Sequence, residues 1–260
     1  MTTLETALTS ISDEISRAGA YDNRFGYTVS VVEKVVKATK ISRGRIMDAD
    51  IAAESTQLSK AQVLSQANAA MLAQANKAQQ SILERIIHSS GDFSLQSCMR
   101  FSPNACKDAI TALQNGAQIV TDTYMAEAAI SPMAKRTLNT DIECILGMAP
   151  TSIDSTFTTR SAIGMRNMWL EFEKKDNLSS SPLVVIGSSP TALISLLDLV
   201  EEGYKIPSLI IGMPVGFIGV SESKTRLLNS SCPHIVLEGT KGGASLAAAG
   251  INALLRLSES

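Results

Sequence analysis

Cysteine is absent before Cys98 and proline before Pro103, and no aromatic side chain lies between Tyr27 and Phe93. Between Gly44 and Gly91 neither glycine nor proline interrupts the chain. A stretch so free of breakers, and rich in Ala, Gln, Leu, Lys, Ser and Asn, predicts long helices. The four cysteines (Cys98, Cys106, Cys144, Cys232) are too few and scattered for a disulfide scaffold, and none forms Cys-x-x-Cys. Gly-x-Gly-x-x-Gly and Gly-x4-Gly-Lys-Ser/Thr are both missing, which removes support for dinucleotide redox chemistry and phosphoryl transfer. Ser189 is followed by Pro-Thr, so it sits in no nucleophile elbow. No His/Cys cluster has metal-ligand spacing, so no metal or other cofactor is expected. A net charge of −2, from 23 basic and 25 acidic residues, gives no electrostatic case for nucleic acid. No run approaches the roughly 18 apolar residues of a membrane span. Met1-Thr-Thr-Leu-Glu has neither the basic start nor the apolar core of a secretory signal. These absences predict a reduced, cytoplasmic protein that binds neither membrane nor nucleic acid.

What is present divides in two near Glu84. Residues 1–84 hold nine basic and nine acidic side chains, and residues 85–260 hold fourteen and sixteen, which carries the whole net charge. The first part reads as helices. Leu4, Leu8, Ile11 and Ile15 recur at intervals of four, three and four, which predicts a helix from Thr2 to about Gly19. A second is expected from about Asn23 to Arg43 through Val29, Val32, Val35 and Val36. A third is expected from an Asp48 N-cap through Ile51, Leu58, Leu64, Met71, Leu72, Ile82 and Ile86. The apolar stripe is narrow, nearer a coiled-coil seam than a globular face, and helices this poor in large apolar groups need a partner.

The second part alternates. Apolar runs at Ala117–Asp122, Ile142–Leu146, Leu183–Gly187, Ser208–Met213 and His234–Glu238 read as strands buried on both faces. Helical patterns near 104–115, 161–176, 190–203, 221–229 and 242–256 lie between them. This predicts a doubly wound parallel sheet covered by helices, with its ligand site beyond the carboxyl ends of the strands. The loops there are Gly187-Ser-Ser-Pro-Thr-Ala192, Gly212-Met-Pro-Val-Gly-Phe-Ile-Gly219 and Gly239-Thr-Lys-Gly-Gly243. Ser188 or Ser189 caps the following helix, with Pro190 at its first position, or the same turn cradles a carboxylate or phosphate. Two histidines exist. His234 opens a strand beside Pro233 and reads as structural. His88 closes the long helix, where an imidazole either meets the helix dipole or moves a proton near neutral pH.

Arg45-Ile-Met-Asp-Ala-Asp-Ile-Ala-Ala-Glu-Ser-Thr and Met71-Leu-Ala-Gln-Ala-Asn-Lys-Ala-Gln-Gln-Ser-Ile-Leu83 resemble the C-terminal helical region of bacterial flagellin over about 1–83. That resemblance implies helical self-association of 1–84. Arg85-Ile-Ile-His-Ser-Ser-Gly-Asp-Phe, Gly116-Ala-Gln-Ile-Val-Thr-Asp-Thr-Tyr-Met, Thr159-Arg-Ser-Ala, Gly187-Ser-Ser-Pro-Thr-Ala-Leu, Gly212-Met-Pro-Val-Gly-Phe-Ile-Gly-Val-Ser-Glu-Ser-Lys and Gly242-Gly-Ala-Ser-Leu-Ala-Ala-Ala-Gly are similar, in order and spacing, to precorrin-8X methylmutase. This resemblance covers about 85–257.

It implies a flavodoxin-like three-layer α/β domain over 85–260, preceded by a long-helix appendage over 1–84, and a homodimer holding a tetrapyrrole near its interface. The implied reaction is an isomerisation that moves a methyl group from C11 to C12 of the corrin precursor, with no nicotinamide, flavin or methyl donor. His88 falls on the family's catalytic histidine and Arg160 on its active-site arginine. The resemblance also places Ser188, Ser189, Thr191, Gly216, Ser223, Lys224, Lys241, Gly242 and Gly243 around the substrate. The family's opening Ser-Phe-x-x-Ile segment has no counterpart, and a filament-type helix is expected to give His88 few supporting contacts. The alternative reading is a flagellin-like structural protein, located in the flagellum, with an inactive α/β passenger.

Overall fold

The computed structural model describes residues 2–47, 51–151, 159–175 and 180–259. They divide into two compact units, Met1–Asn68 and Ala69–Ser260.

In the first unit, helix α1 runs unbroken over Thr2–Met47. The interruption expected between Gly19 and Asn23 does not occur. A glycine inside a helix costs only about 1 kcal/mol relative to alanine, less than giving up several consecutive backbone bonds. The expected N-cap, Asp48, lies outside the described residues. Helix α2 spans Ile51–Ser90, and its last turns belong to the second unit. There Ala78, Ile82 and Ile86 are buried in the same apolar cluster as Leu246, Ile251 and Leu254. The residue boundary read from composition at Glu84 therefore falls inside a helix whose apolar face packs on both sides of it. Gly250 lies at this contact: a Cβ there would stand 3.8 Å from Ile86 Cδ1 and 3.9 Å from Ile82 Cγ2, ordinary van der Waals distances. The expectation that this helix lacks complementary contacts with the α/β core is not met.

The second unit continues with β1 (Met99–Phe101), α3 (Ala105–Gln114), β2 (Ile119–Thr121), α4 (Tyr124–Arg136), β3 (Ile142–Cys144) and α5 (Arg160–Lys174). Then come β4 (Leu183–Ile186), α6 (Pro190–Glu201), β5 (Leu209–Gly212), α7 (Val220–Leu228), β6 (His234–Leu237) and α8 (Ala244–Ser258). The sheet order is β1-β6-β5-β4-β2-β3. Strands β2 to β6 are parallel and β1 pairs antiparallel with β6, Met99 opposite Leu237. Counting the parallel strands alone gives the flavodoxin-like order 2-1-3-4-5, whose chain reversal falls between β2 and β4.

All five expected strands form, because each apolar run has both faces covered. Ile119, Leu183, Val185, Ile211 and Ile235 face one cluster. Val120, Val184, Ile186, Ile210 and Val236 face the other, against α5, α6 and Trp169. Among the strands and α-helices, two escaped the sequence reading. Strand β1 is too short to show a period and exists through its pairing with β6. Helix α4 carries Pro132 in its interior, a residue that argues against a helix. The structure keeps the helix because Thr123 caps Ala126 N and because Ala126, Ile130 and Ala134, spaced by four, are buried. Among the described residues no helix is long and apolar enough to cross a membrane.

Candidate active site

The carboxyl edge of the sheet carries the loops after β2, β4, β5 and β6, held together by backbone. Gly243 N donates to Met213 O at 2.9 Å, and Gly216 N donates to Thr240 O at 3.1 Å. A Cβ at Gly187 would lie 2.5 Å from Ala244 Cα, and one at Gly242 would collide with the Met213 carbonyl. These two glycines are close-approach points between loops. Gly216, at φ 137°, lies in backbone space that other residues avoid.

At the chain reversal, the turn after β4 is filled from within. Asp122 Oδ2 accepts from Gly187 N (3.1 Å), Ser188 N (2.6 Å) and Ser189 N (2.8 Å). The cradle foreseen for a ligand anion already holds a carboxylate of the protein itself. Asp122 is fully buried. Burial pushes its carboxyl above the ordinary value, against the downward pull of the donors from Ser188, Ser189 and Gly187. Three donors that cannot accept require Oδ2 to be the unprotonated oxygen. The motif containing Asp122 was visible in the sequence, but its role was not, since the partners lie more than sixty residues away.

Ser189 is the N-cap of α6, accepting from Ala192 N at 3.3 Å, with Pro190 at the first turn. Its hydroxyl also lies 3.2 Å from Thr191 Oγ1, which lies 2.6 Å from Thr159 Oγ1. Thr159 in turn caps α5 through Ala162 N, and the next residue is Arg160. Arg160 is exposed and its Nε donates to Pro150 O at 3.0 Å. Ser189, Thr191 and Thr159 therefore form one hydroxyl-linked corner, with Ser188 and Arg160 next to it in the chain, and capping accounts for Ser189. Helices α7 and α8 begin at Gly219 and Gly243 without a side-chain cap, so their first N–H groups have no side-chain acceptor from the cap.

Two of the expected substrate contacts face inward instead. Ser223 is buried and its hydroxyl donates to Val220 O at 2.8 Å. Lys224 is 1% exposed, and its Nζ donates to Gly239 O (2.8 Å) and Lys241 O (2.6 Å). Burial lowers its pKa to about 8. Both residues fix the loop rather than present groups to a ligand. A run of glycines and a lysine on a helix read alike whether the ammonium points out or in.

Lys241 links this edge to the histidine segment. Its Nζ pairs with Asp92 Oδ2 at 2.6 Å and donates to Ser94 Oγ at 2.9 Å. Asp92 lies four residues beyond His88. The Lys241 hydrogen bond, then those from Ser94, hold the Asp92 carboxyl down at about 2. A group whose folded pKa is depressed stabilises above its ordinary 3.8 and loses that contribution as pH falls toward 2. Asp92→Asn should therefore lower the Tm at pH 6, and the difference should vanish between pH 4 and 2. A difference that persists at pH 2 would refute this account.

His88 is exposed at the last turn of α2. It lines a groove of about 180 Å³ with Arg85, Ser89, Met133, Asn252 and Arg256 among its walls. Asn252 donates through Nδ2 to Ala129 O at 3.2 Å, and its Oδ1 is buried without a partner. An imidazole that shares a groove with two arginines is placed to meet an anionic ligand and exchange a proton with it. Arg160 does not line this groove. Large apolar side chains stand exposed at the carboxyl edge: Tyr124 and Met125 after β2, and Phe217 (91%) and Ile218 (90%) after β5. Sequence reasoning assigned no role to them. His234, expected to be structural, is buried with Nδ1 2.9 Å from Cys232 O. No group of three or more potential metal ligands occurs among the described residues.

A flavodoxin-like sheet with a histidine groove and an apolar carboxyl edge defines the class, and comparison with known proteins makes it specific. Residues 50–257 match the family model described as precorrin-8X methylmutase, and residues 1–86 match that of the bacterial flagellin C-terminal helical region. The chain is 36% identical over 191 residues to a cobalt-precorrin-8 methylmutase of Synechocystis, covering 68% of this chain and 84% of that protein. It is 36% identical over 176 residues to a precorrin-8X methylmutase of Pseudomonas aeruginosa, covering 65% and 80%. A solved precorrin-8X methyl mutase of Thermus thermophilus superposes with a TM-score of 0.58 at 30% identity, over 69% of this chain and 86% of that one. The chain belongs to the precorrin-8X methylmutase family and is an isomerase, an intramolecular methyl transferase of cobalamin biosynthesis.

Proposed function

We propose that the substrate is precorrin-8X or its cobalt-bound counterpart, and that the reaction moves its C11 methyl group to C12, giving hydrogenobyrinic or cobyrinic acid. The observation that carries this reading is His88 in the groove with Arg85 and Arg256 on a chain of this family. His88 donates a proton to the macrocycle, which draws electron density from the migrating centre and eases the shift. The proton returns to the imidazole afterwards, so the step is a net isomerisation and consumes no cofactor. The ring is a large apolar plate with carboxylate arms. The exposed Tyr124, Met125, Phe217 and Ile218 suit the plate. Arg160 and the N–H groups opening α7 and α8 suit the arms.

Because Arg160 lies outside the His88 groove, we propose a homodimer through the α/β unit, so that one ring meets groups from both copies. A cytoplasmic location accords with the named relatives. We keep residues 1–84 as a flagellin-like segment whose final turns support the enzyme.

The direct test is incubation of the purified chain with precorrin-8X, and separately with cobalt-precorrin-8, following the absorption spectrum. Conversion of one is expected, and conversion of neither would overturn the reading. Arg160→Lys should weaken product affinity about tenfold, since an ammonium cannot reproduce the planar fork that grips a carboxylate by two bonds. An unchanged Kd would remove Arg160 from the ring site.

A further inference from the structure

Helix α1 carries an apolar seam that none of the described residues covers. Leu4, Leu8, Ile11, Ile15, Ala18, Asp22, Phe25, Val29, Val32 and Val36 follow one another at alternating spacings of four and three. This is an a/d heptad pattern, with Leu8, Ile15, Asp22, Val29 and Val36 at a and the others at d. The large apolar members are 46–74% exposed along the helix. Forty-six helical residues extend about 69 Å, and an amphipathic helix is held mainly by packing of its apolar face.

We propose that α1 pairs with α1 of a second copy of this chain as a two-stranded antiparallel coiled coil. The flanking residues select that occupant and direction. In a parallel, in-register pair Asp22 would face Asp22 of the other copy, and Arg43 would face Arg43. The parallel pair would also form no opposite-charge contact between e and g positions. In the antiparallel pair whose facing residue numbers sum to 47, Leu8 meets Thr39, Ile11 meets Val36, Ile15 meets Val32, Ala18 meets Val29 and Asp22 meets Phe25. Glu5 then approaches Lys40 of the other copy, twice by symmetry. Beside the centre, Gly19 and Gly26 flank the seam at e positions and approach each other as Glu5 and Lys40 do, and neither has an atom within 4 Å of its would-be Cβ. The two glycines leave room beside the bulky Phe25 where the helices cross the two-fold axis. Tyr21 and Val35, at flanking g positions, are exposed at 57% and 58% and widen the apolar strip.

This pairing is independent of the isomerase reading. The test uses full-length chains carrying Cys98→Ser and one new cysteine each. Ala18→Cys mixed with Val29→Cys under a glutathione redox buffer should give a disulfide-linked dimer at least tenfold faster than either chain alone. Equal cross-linking of Ala18→Cys with itself would mean a parallel pair. No cross-linking in the mixture would mean that α1 does not pair with its copy. Either result overturns the proposal. Ile15→Asp, on an exposed side chain, should remove the concentration dependence of the α1 transition in circular dichroism while leaving the melting of the α/β unit and isomerase turnover unchanged. A melt that is already independent of concentration in the native chain would equally overturn it.

Discussion

His88→Ala is expected to lower the rate of isomerisation by about 10²–10⁴-fold while product still binds, because a single proton-transfer group commonly supplies that much. The residue lies at the exposed last turn of α2, so its removal leaves the buried face of Ala78, Ile82 and Ile86 untouched. Folding should be preserved, with the Tm within a few degrees of the native chain. The measurement is single-turnover conversion beside equilibrium titration of the product. Near-normal turnover would reduce His88 to a group that interacts with the helix dipole. Loss of binding without loss of rate in bound complexes would make it a carboxylate contact instead.

Asp122→Ala is expected to be the most destabilising single change at the carboxyl edge. It leaves the N–H groups of Gly187, Ser188 and Ser189 without the acceptor at 2.6–3.1 Å that now serves all three. Unmet buried donors cost about 1–3 kcal/mol each, and water entering the vacated space recovers part of that, so a net loss of about 3 kcal/mol or more follows. Asp122→Asn should fall between, because an amide oxygen accepts but carries no charge. The same change should loosen the Ser189–Thr191–Thr159 chain that ends beside Arg160. Product affinity should thus fall more than the rate of the bound complex. Urea unfolding gives the first quantity and titration the second. A loss below 1 kcal/mol for Asp122→Ala would mean that the turn is held by the close packing of Gly187 on Ala244 alone.

Particular residues show how far the sequence was legible. The runs Leu183–Ile186 and Leu209–Gly212 announced buried strands because every residue in them is apolar or glycine, and both faces of the sheet are covered. Ser189 and Pro190 announced a helix start because capping is local chemistry. His88 and Arg160 came from resemblance, each inside a motif of consecutive residues. Helix α4 was missed since Pro132 speaks against a helix locally, while burial of Ala126, Ile130 and Ala134 is tertiary. The inward direction of Lys224 was not legible, because its acceptors are fifteen and seventeen residues away in the chain.

The sequence by itself determined the alternation of strands and helices, the long breaker-free arm, the heptad spacing along α1 and the family. All of these rest on the identity and spacing of neighbours in the chain. Only the tertiary structure decided that Asp122 occupies the turn at the chain reversal, that Lys241 ties the last loop to Asp92, and that Ile82 and Ile86 seat the histidine helix against Gly250. Those outcomes depend on which distant groups meet once the sheet has closed. A hydrogen bond or a packed methyl group acts over a few ångströms, and separation along the chain does not specify that distance.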